Sequence, residues 1–187
     1  REPLLIGDFL DMHESDSLRL YEDMHSYDKI KLIIEHTLNM YNQAHEKQMN
    51  LVMFEDALEH LVRIHRIIRM HRGHALLVGV GGSGKQSLTR LAAYTAGYQV
   101  FEITLTRVYG NSHFRDDLKL LYSKLGVEGQ QVVFLFTDAH VVDSGFLEYI
   151  NNMLTSGMVP ALFADDEKEP LIQAVMKEVK EKGITET

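Results

Sequence analysis

Gly79-Val80-Gly81-Gly82-Ser83-Gly84-Lys85-Gln86-Ser87 puts four glycines in six residues directly ahead of a lysine. Glycine backbones turn through conformations closed to other residues, so successive N–H groups can converge on one anion. A helix starting at the loop aims its positive end at the same point. Lys85 then reaches the outer phosphates of a nucleoside triphosphate as a mobile point charge. The usual pattern asks next for Ser or Thr, to place a hydroxyl on magnesium; here Gln86 follows, with Ser87 one step on. The bland alternative is a glycine-rich turn that binds nothing, and the flanking sequence speaks against it.

Upstream, His74-Ala75-Leu76-Leu77-Val78 is a continuous apolar run bounded by Gly73 and Gly79, which predicts a strand buried on both faces. Downstream, Leu88, Leu91, Ala92 and Thr95 recur at helical spacing up to Gly97. Strand, glycine loop and helix in succession are the context that a phosphate loop requires.

Further out, Phe54 to Met70 predicts a helix with Leu58, Leu61, Val62, Ile64 and Ile68 inward and an exposed Glu59–Arg63 pair. Gly73 reads as its C-terminal glycine. Ile30, Ile33, Ile34, Thr37, Leu38, Tyr41 and Ala44 predict an amphipathic helix over 28–46. Residues 46–50 read as a connector and Leu51-Val52-Met53-Phe54 as a short extended apolar patch. Residues 1–26 carry apolar clusters (Leu4, Leu5, Ile6, Phe9, Leu10) without a sustained period. We place a boundary near residue 48.

On the other side of the loop, Gln99 to Thr106 alternates and predicts an edge strand with Phe101, Ile103 and Leu105 inward. Residues 112–125 predict a helix with Phe114, Leu118, Leu121, Tyr122 and Leu125 inward. Val132-Val133-Phe134-Leu135-Phe136, apolar at every position, predicts a second central strand ending in Thr137-Asp138. Asp143-Ser144 caps a helix carrying Phe146, Leu147, Ile150 and Leu154. After a loop from Gly157 to Asp166, Leu171, Ile172, Val175, Met176 and Val179 form the face of a last helix, with Pro170 in its first turn.

Open α/β sheets place ligands at the carboxyl ends of their strands, which singles out Asp138 as a magnesium or water-orienting carboxylate. The usual ending is Asp then Glu, the first assisting the metal and the second activating water. Thr137-Asp138-Ala139 departs from it. Either Asp138 is the metal-side acid and the catalytic acid is missing, or Thr137 takes the metal position and Asp138 acts as a shorter catalytic arm. As a structural alternative, Asp138 simply ends a strand or caps a turn. The ten histidines, notably His60, His65, His71 and His74, lack cysteines or spaced carboxylates, so helix-surface and helix-end roles are expected. The nine methionines read as core fillers and Asp165-Asp166-Glu167 as a solvated helix start.

With 187 residues, 45% of them hydrophobic, the chain can bury a sizeable core. A net charge of −8 excludes sequence-independent binding to nucleic acid or an anionic membrane, and no apolar run approaches the roughly 18 residues that span a bilayer. The absence of cysteine excludes disulfides and thiolate zinc sites and suits a cytoplasmic compartment. Residue 1 is Arg, and Pro3-Leu4-Leu5-Ile6 opens as if in mid-structure, so we expect a piece of a longer polypeptide.

Several strings together closely resemble the fourth AAA+ module of dynein heavy chains, particularly axonemal ones. They are Asn50 to Ala57 leading into Arg63-Ile64-His65-Arg66-Ile67, Gly73 to Leu88, Asp143-Ser144-Gly145-Phe146-Leu147, and Pro160-Ala161-Leu162-Phe163. The resemblance is clearest from residue 49. It implies an α/β P-loop NTPase (AAA+) parallel sheet flanked by helices, incomplete here, over 49–187. Residues 1–48 become a helical segment leaving the preceding module. It also implies part of an ATP-driven microtubule motor of the cytoskeleton, working in the axoneme of cilia and flagella. Its partners are neighbouring modules of the same heavy chain and, through parts outside this chain, microtubules.

Carried over residue by residue, Gly79, Val80, Gly81, Gly82, Ser83, Gly84, Lys85, Gln86 and Ser87 hold the phosphates of ATP or ADP. Val52, Met53 and Phe54 lie near the adenine. Thr137 and Asp138 align with the family's Asp-Glu pair, which favours Thr137 at the metal and Asp138 as the catalytic acid. Gln86 and Thr137 both fall on Mg2+ ligands, so tight nucleotide binding is better supported than turnover. The family's strand between 74–78 and 132–136 would come after residue 187. That leaves strand edges unpaired, and we expect marginal stability in isolation, which a reversible cooperative thermal transition of the isolated monomer would disprove. Competing readings are a competent ATPase, with the Gln86 amide oxygen on magnesium, and a small-molecule kinase, which lacks a visible acceptor site.

Overall fold

The computed structural model describes residues 5–9 and 20–181. They fall into two compact units that divide between Val100 and Phe101. Leu4 and Leu10 of the opening apolar clusters lie outside the described residues.

In the first unit, β1 (Ile6–Gly7) pairs antiparallel with β2 (Glu22–Asp23), Ile6 opposite Asp23. Helix α1 (Tyr27–Ala44) buries Ile30, Ile34, Thr37 and Leu38, the stripe its periodicity predicts, while Ala44 is exposed. Helix α2 (Glu55–Arg69) opens on Glu55 and Asp56 and ends on Arg66 and Arg69, each charge complementing the nearer end of the helix dipole. Helix α3 (Lys85–Ala96) stops at Gly97, whose φ of 76° is the left-handed conformation that closes a helix. There the Tyr98 N–H reaches Ala93 O at 2.9 Å. Leu58, Leu61 and Val62 of α2 pack with Leu91 and Ala92 of α3 and Ile30 and Ile34 of α1, and Leu5 and Phe9 join them. Residues on both sides of position 48 thus share one core.

Two expectations here are corrected. Residues 74–78 form no strand: Leu76 is 91% and Val78 86% exposed. A run apolar on both faces needs a hydrogen-bonded neighbour and covered faces, and among the described residues none pairs with it. Gly73 is not a left-handed cap either. The positive φ falls on Arg72 (54°), and Gly73 is required because a Cβ there would sit 1.7 Å from Ile67 O.

Strand β3 (Gln99–Phe101) neighbours β4 (Val132–Phe134) in a small parallel sheet joined by helix α4 (Asn111–Gly126). The alternation over 99–106 extends further than the strand. Ile103 is buried, but the chain turns at Thr106, where Tyr109 N–H donates to Thr106 O, and Leu105 is left exposed. Residues 132–136 are half-buried rather than sealed on both faces.

The second unit's core is aromatic. Phe114 of α4 stacks on Phe146 of α5 (Gly145–Ser156) at 4.3 Å and lies 5.8 Å from Phe136. Leu118, Leu121, Val159 and Leu162 complete it, while Leu125, Leu147 and Leu154 are exposed. Asp143 Oδ1 accepts from Gly145 N–H at 2.7 Å, a turn bond just ahead of α5, while the N-cap residue Ser144 makes no side-chain cap bond.

Helix α6 (Asp165–Glu181) starts early enough that Pro170 lies inside it rather than in its first turn. The early start has a cause: Glu167 accepts the Ala164 N–H at 2.8 Å, half of a capping box. Ile172 and Met176, expected on its apolar face, are exposed. No helix among the described residues is long and apolar enough to cross a membrane.

Candidate nucleotide site

The phosphate loop folds around its own lysine. Lys85, the first residue of α3, donates from Nζ to Gly79 O and Val80 O at 2.7 Å each and to Ser83 Oγ at 3.0 Å. All three acceptors are neutral. An anionic phosphate oxygen makes a stronger, charge-assisted bond, so the ammonium is already aimed across the loop and exchangeable for a better partner. Gly82 (φ 77°) and Gly84 (φ 78°) take the left-handed conformation that bends the loop. A Cβ on Gly81 or Gly82 would meet nothing within 4 Å, so the space above this backbone is open to a ligand.

The first N–H groups of a helix have no partner inside it, and those of α3 begin at Lys85. Gln86 is exposed and Ser87 half-buried. The helix behind them is firmly seated: Leu88 N–H bonds Gly84 O at 2.8 Å, and Leu91, Ala92 and Thr95 are buried. The loop therefore fits the phosphates of a nucleotide. For a metal, the first residue past the lysine offers an amide oxygen where a hydroxyl is usual.

Near the loop, Met53 is buried in the core, whereas Val52 is 80% and Phe54 60% exposed. Leu51 Cδ2 approaches Gly84 to within 3.7 Å of where a Cβ would stand, so Leu51 lies against the loop.

Thr137 and Asp138 belong to the second unit, beyond the carboxyl end of β4. Asp138 opens a 3-10 turn, Asp138–His140, and is exposed; Thr137 is half-buried. Its backbone N–H donates to His140 Nδ1 at 3.1 Å, and His140 N–H returns a bond to Thr137 O at 3.0 Å.

Two groupings escape sequence reasoning. His140 and Glu102 meet at the strand ends. Asp8, His65 and Arg69 form a polar cluster, the first two buried and Arg69 half-buried, in which Asp8 Oδ2 accepts Arg69 Nε at 2.9 Å and lies 2.9 Å from its Nη2, and His65 Nε2 lies 3.4 Å from Asp8 Oδ1. His65 is thus a fully buried residue, not the surface histidine expected, because α2 turns it toward Asp8 and the edge of Phe9. Asp8 and Arg69 are 61 positions apart, and no local pattern announces such a pairing. Among the described residues no group of three or more His, Asp or Glu is arranged to hold a metal ion.

A glycine loop closed on its lysine, set before a capped helix in an α/β chain, defines a P-loop nucleotide-binding region. The chain belongs to the family described as the P-loop containing dynein motor region D4, whose model matches residues 49–187. It is 58% identical over 185 residues to dynein axonemal heavy chain 10 of Homo sapiens, covering 98% of this chain and 4% of that one. To the dynein-1-alpha heavy chain of the flagellar inner arm I1 complex of Chlamydomonas reinhardtii it is 56% identical over 191 residues, covering 99% of this chain and 4% of that one. Dynein axonemal heavy chain 6 of Homo sapiens is 48% identical over 99% of this chain and 4% of its own length.

Proposed function

We propose that this region binds ATP or ADP as a structural or regulatory ligand, with weak or no hydrolysis of its own, inside an axonemal dynein heavy chain. On this reading Gly79 to Lys85 grip the phosphates, Gln86 and Ser87 flank the metal position, and Val52, Met53 and Phe54 lie near the adenine. By resemblance Thr137 aligns with the family's metal-side acid and Asp138 with its water-activating acid. The bound nucleotide sets how the region packs on neighbouring modules of the same chain. The whole polypeptide acts as an ATP-driven microtubule motor in the cytoskeleton of cilia and flagella, meeting microtubules through parts beyond these residues.

The observation that carries this is the Lys85 ammonium held on three neutral acceptors of a glycine loop, within a chain of this family. Magnesium, if held beside Gln86, would help neutralise the phosphate charge. This chain's own part is to place the lysine, the loop N–H groups and the Gln86 amide.

The exposed Asp138 carboxylate favours a second reading, a competent ATPase in which Asp138 polarises water. Single-turnover hydrolysis by the complete heavy chain, with Asp138→Asn against wild type, separates the two. We expect the rate assigned to this site to be unchanged within about twofold. A drop of about 100-fold, the size of a general-base contribution, would establish the engine instead.

A further inference from the structure

The extended stretch after β3 and the outer stripe of α4 border an open cavity. Glu102, Thr104 and Thr106 share one side of the extended chain because successive side chains alternate, and Ile103 is buried on the other. His113, Asp117 and Leu120 recur at helical spacing beside the buried Phe114, Leu118 and Leu121. Together with Tyr109 these side chains line a space of about 370 Å³, at the lower end of small-ligand pockets. It lies wholly within the second unit.

Tyr109 is the fixed point of this cavity. Its N–H donates to Thr106 O at 3.1 Å, its hydroxyl donates to Asp117 Oδ2, and its ring meets Phe146 edge-on at 6.1 Å. Burial, and then the bond to Asp117, raise the phenol above its ordinary 10.0, so at neutral pH it stays a donor and holds the Asp117 carboxylate in place. The exposed His113 ring lies 5.6 Å from the Tyr109 ring, 30° from parallel. Glu102 and Asp117 are half-buried, no Lys or Arg lines the cavity, and Phe101 and Leu120 add apolar surface.

Two carboxylates in a partly desolvated hollow repel anions and attract a cation more strongly than fully exposed ones do. A compact ammonium is a point charge. A guanidinium is flat, carries five N–H donors in a fixed fork and stacks on aromatic rings, which matches acceptors spread around a hollow that also holds two rings. We propose that this cavity binds an alkylguanidinium group, the side chain of arginine. Glu102 and Asp117 accept its N–H groups, the Thr104 and Thr106 hydroxyls add neutral acceptors, and the alkyl stem lies on the Phe101 and Leu120 surface. Because Tyr109 already holds Asp117, little ordering is left for binding to supply. The inference stands apart from the nucleotide reading and from the glycine loop.

The test titrates the complete heavy chain with butylguanidinium, with Nα-acetylarginine amide and with Nα-acetyllysine amide, and follows amide hydrogen exchange over residues 101–120. We expect a saturable slowing of exchange there, reached with the guanidinium compounds at concentrations about tenfold lower than with the lysine compound. The tighter of the two guanidinium probes identifies a free or a peptide-borne group. Asp117→Asn removes a charge while leaving an acceptor for the Tyr109 hydroxyl, and Glu102→Gln removes the other charge. Each should weaken binding about tenfold, the size of one charge-assisted bond, with exchange of the ligand-free chain unchanged. Should either variant alter ligand-free exchange, the comparison of arginine with lysine on wild type decides alone. The inference is overturned if neither guanidinium compound protects residues 101–120, if the lysine compound binds as tightly, or if both carboxylate variants match wild type.

Discussion

The glycine loop of residues 79–87 presents backbone N–H groups and one flexible ammonium, whereas the turn at residues 137–140 presents a hydroxyl, a carboxylate and the histidine behind them. Gripping phosphate is largely a backbone task. It survives any residue change that leaves the glycines, the lysine and the helix start in place. Handling metal and water is a side-chain task, in which a particular oxygen must stand at a particular distance. The chain keeps the first set complete and alters the second at Gln86 and Thr137. The two kinds of chemistry can therefore separate, which is the basis for proposing a site that holds nucleotide without consuming it.

The largest effect should come from the grip. Lys85→Ala removes the charge that crosses the loop, and ATP affinity at this site in the complete heavy chain should fall about 100-fold, with or without magnesium. A loss seen only with magnesium would place the lysine on the metal side and break the division. Next, Gln86→Thr restores the usual hydroxyl directly after the lysine. It should raise the magnesium-dependent gain in ATP affinity about tenfold, the value of one charge-assisted bond, while magnesium-free binding stays constant. No gain would mean that this departure is silent.

Backbone conformation offers a smaller, two-way test. Gly84 takes φ 78° in the loop, and Ala161 is forced to φ 51° in the second unit, its carbonyl held by the Arg115 guanidinium. Gly84→Ala should cost about 1 kcal/mol of local stability. Ala161→Gly should add about 0.5 kcal/mol, because relief of strain outweighs the greater freedom of unfolded glycine. Amide hydrogen exchange on the heavy chain reads both.

The smallest effect concerns the start of α6. Hydrogen bonds from Lys119 and from the Ala164 N–H hold Glu167 below the ordinary 4.5, and Lys168 holds Asp165 below 3.8. Depressed folded-state values mean that this stabilisation is present above the unfolded pKa and is lost as pH falls through the folded one. Protection of the first-turn amides of α6, relative to their intrinsic exchange rates, should therefore fall as pH drops below the ordinary carboxylate range, and Glu167→Gln should weaken that dependence.

Most of the helices are legible in the chain because their signals are local. Ile30, Ile34 and Leu38 stripe α1, Leu58, Leu61 and Val62 stripe α2, and Gly97 closes α3. The strands are less so. His74 to Val78 carries every mark of a buried strand, yet strand formation needs a partner, and a partner is a non-local fact. Pro170 misleads for a related reason. Its place in the helix depends on where α6 begins, and the Glu167 side chain reaching back to the Ala164 N–H moves that point forward.

By itself the sequence determined the family, the phosphate loop and the departures at Gln86 and Thr137, because these are matters of residue type at fixed spacing. Only the tertiary structure decided that Lys85 rests on the carbonyls of its own loop, that His65 is sealed beside Asp8, and that the His140 ring holds the turn carrying Asp138. Each of these depends on distances that close through space, and a pattern read along the chain contains no such distances.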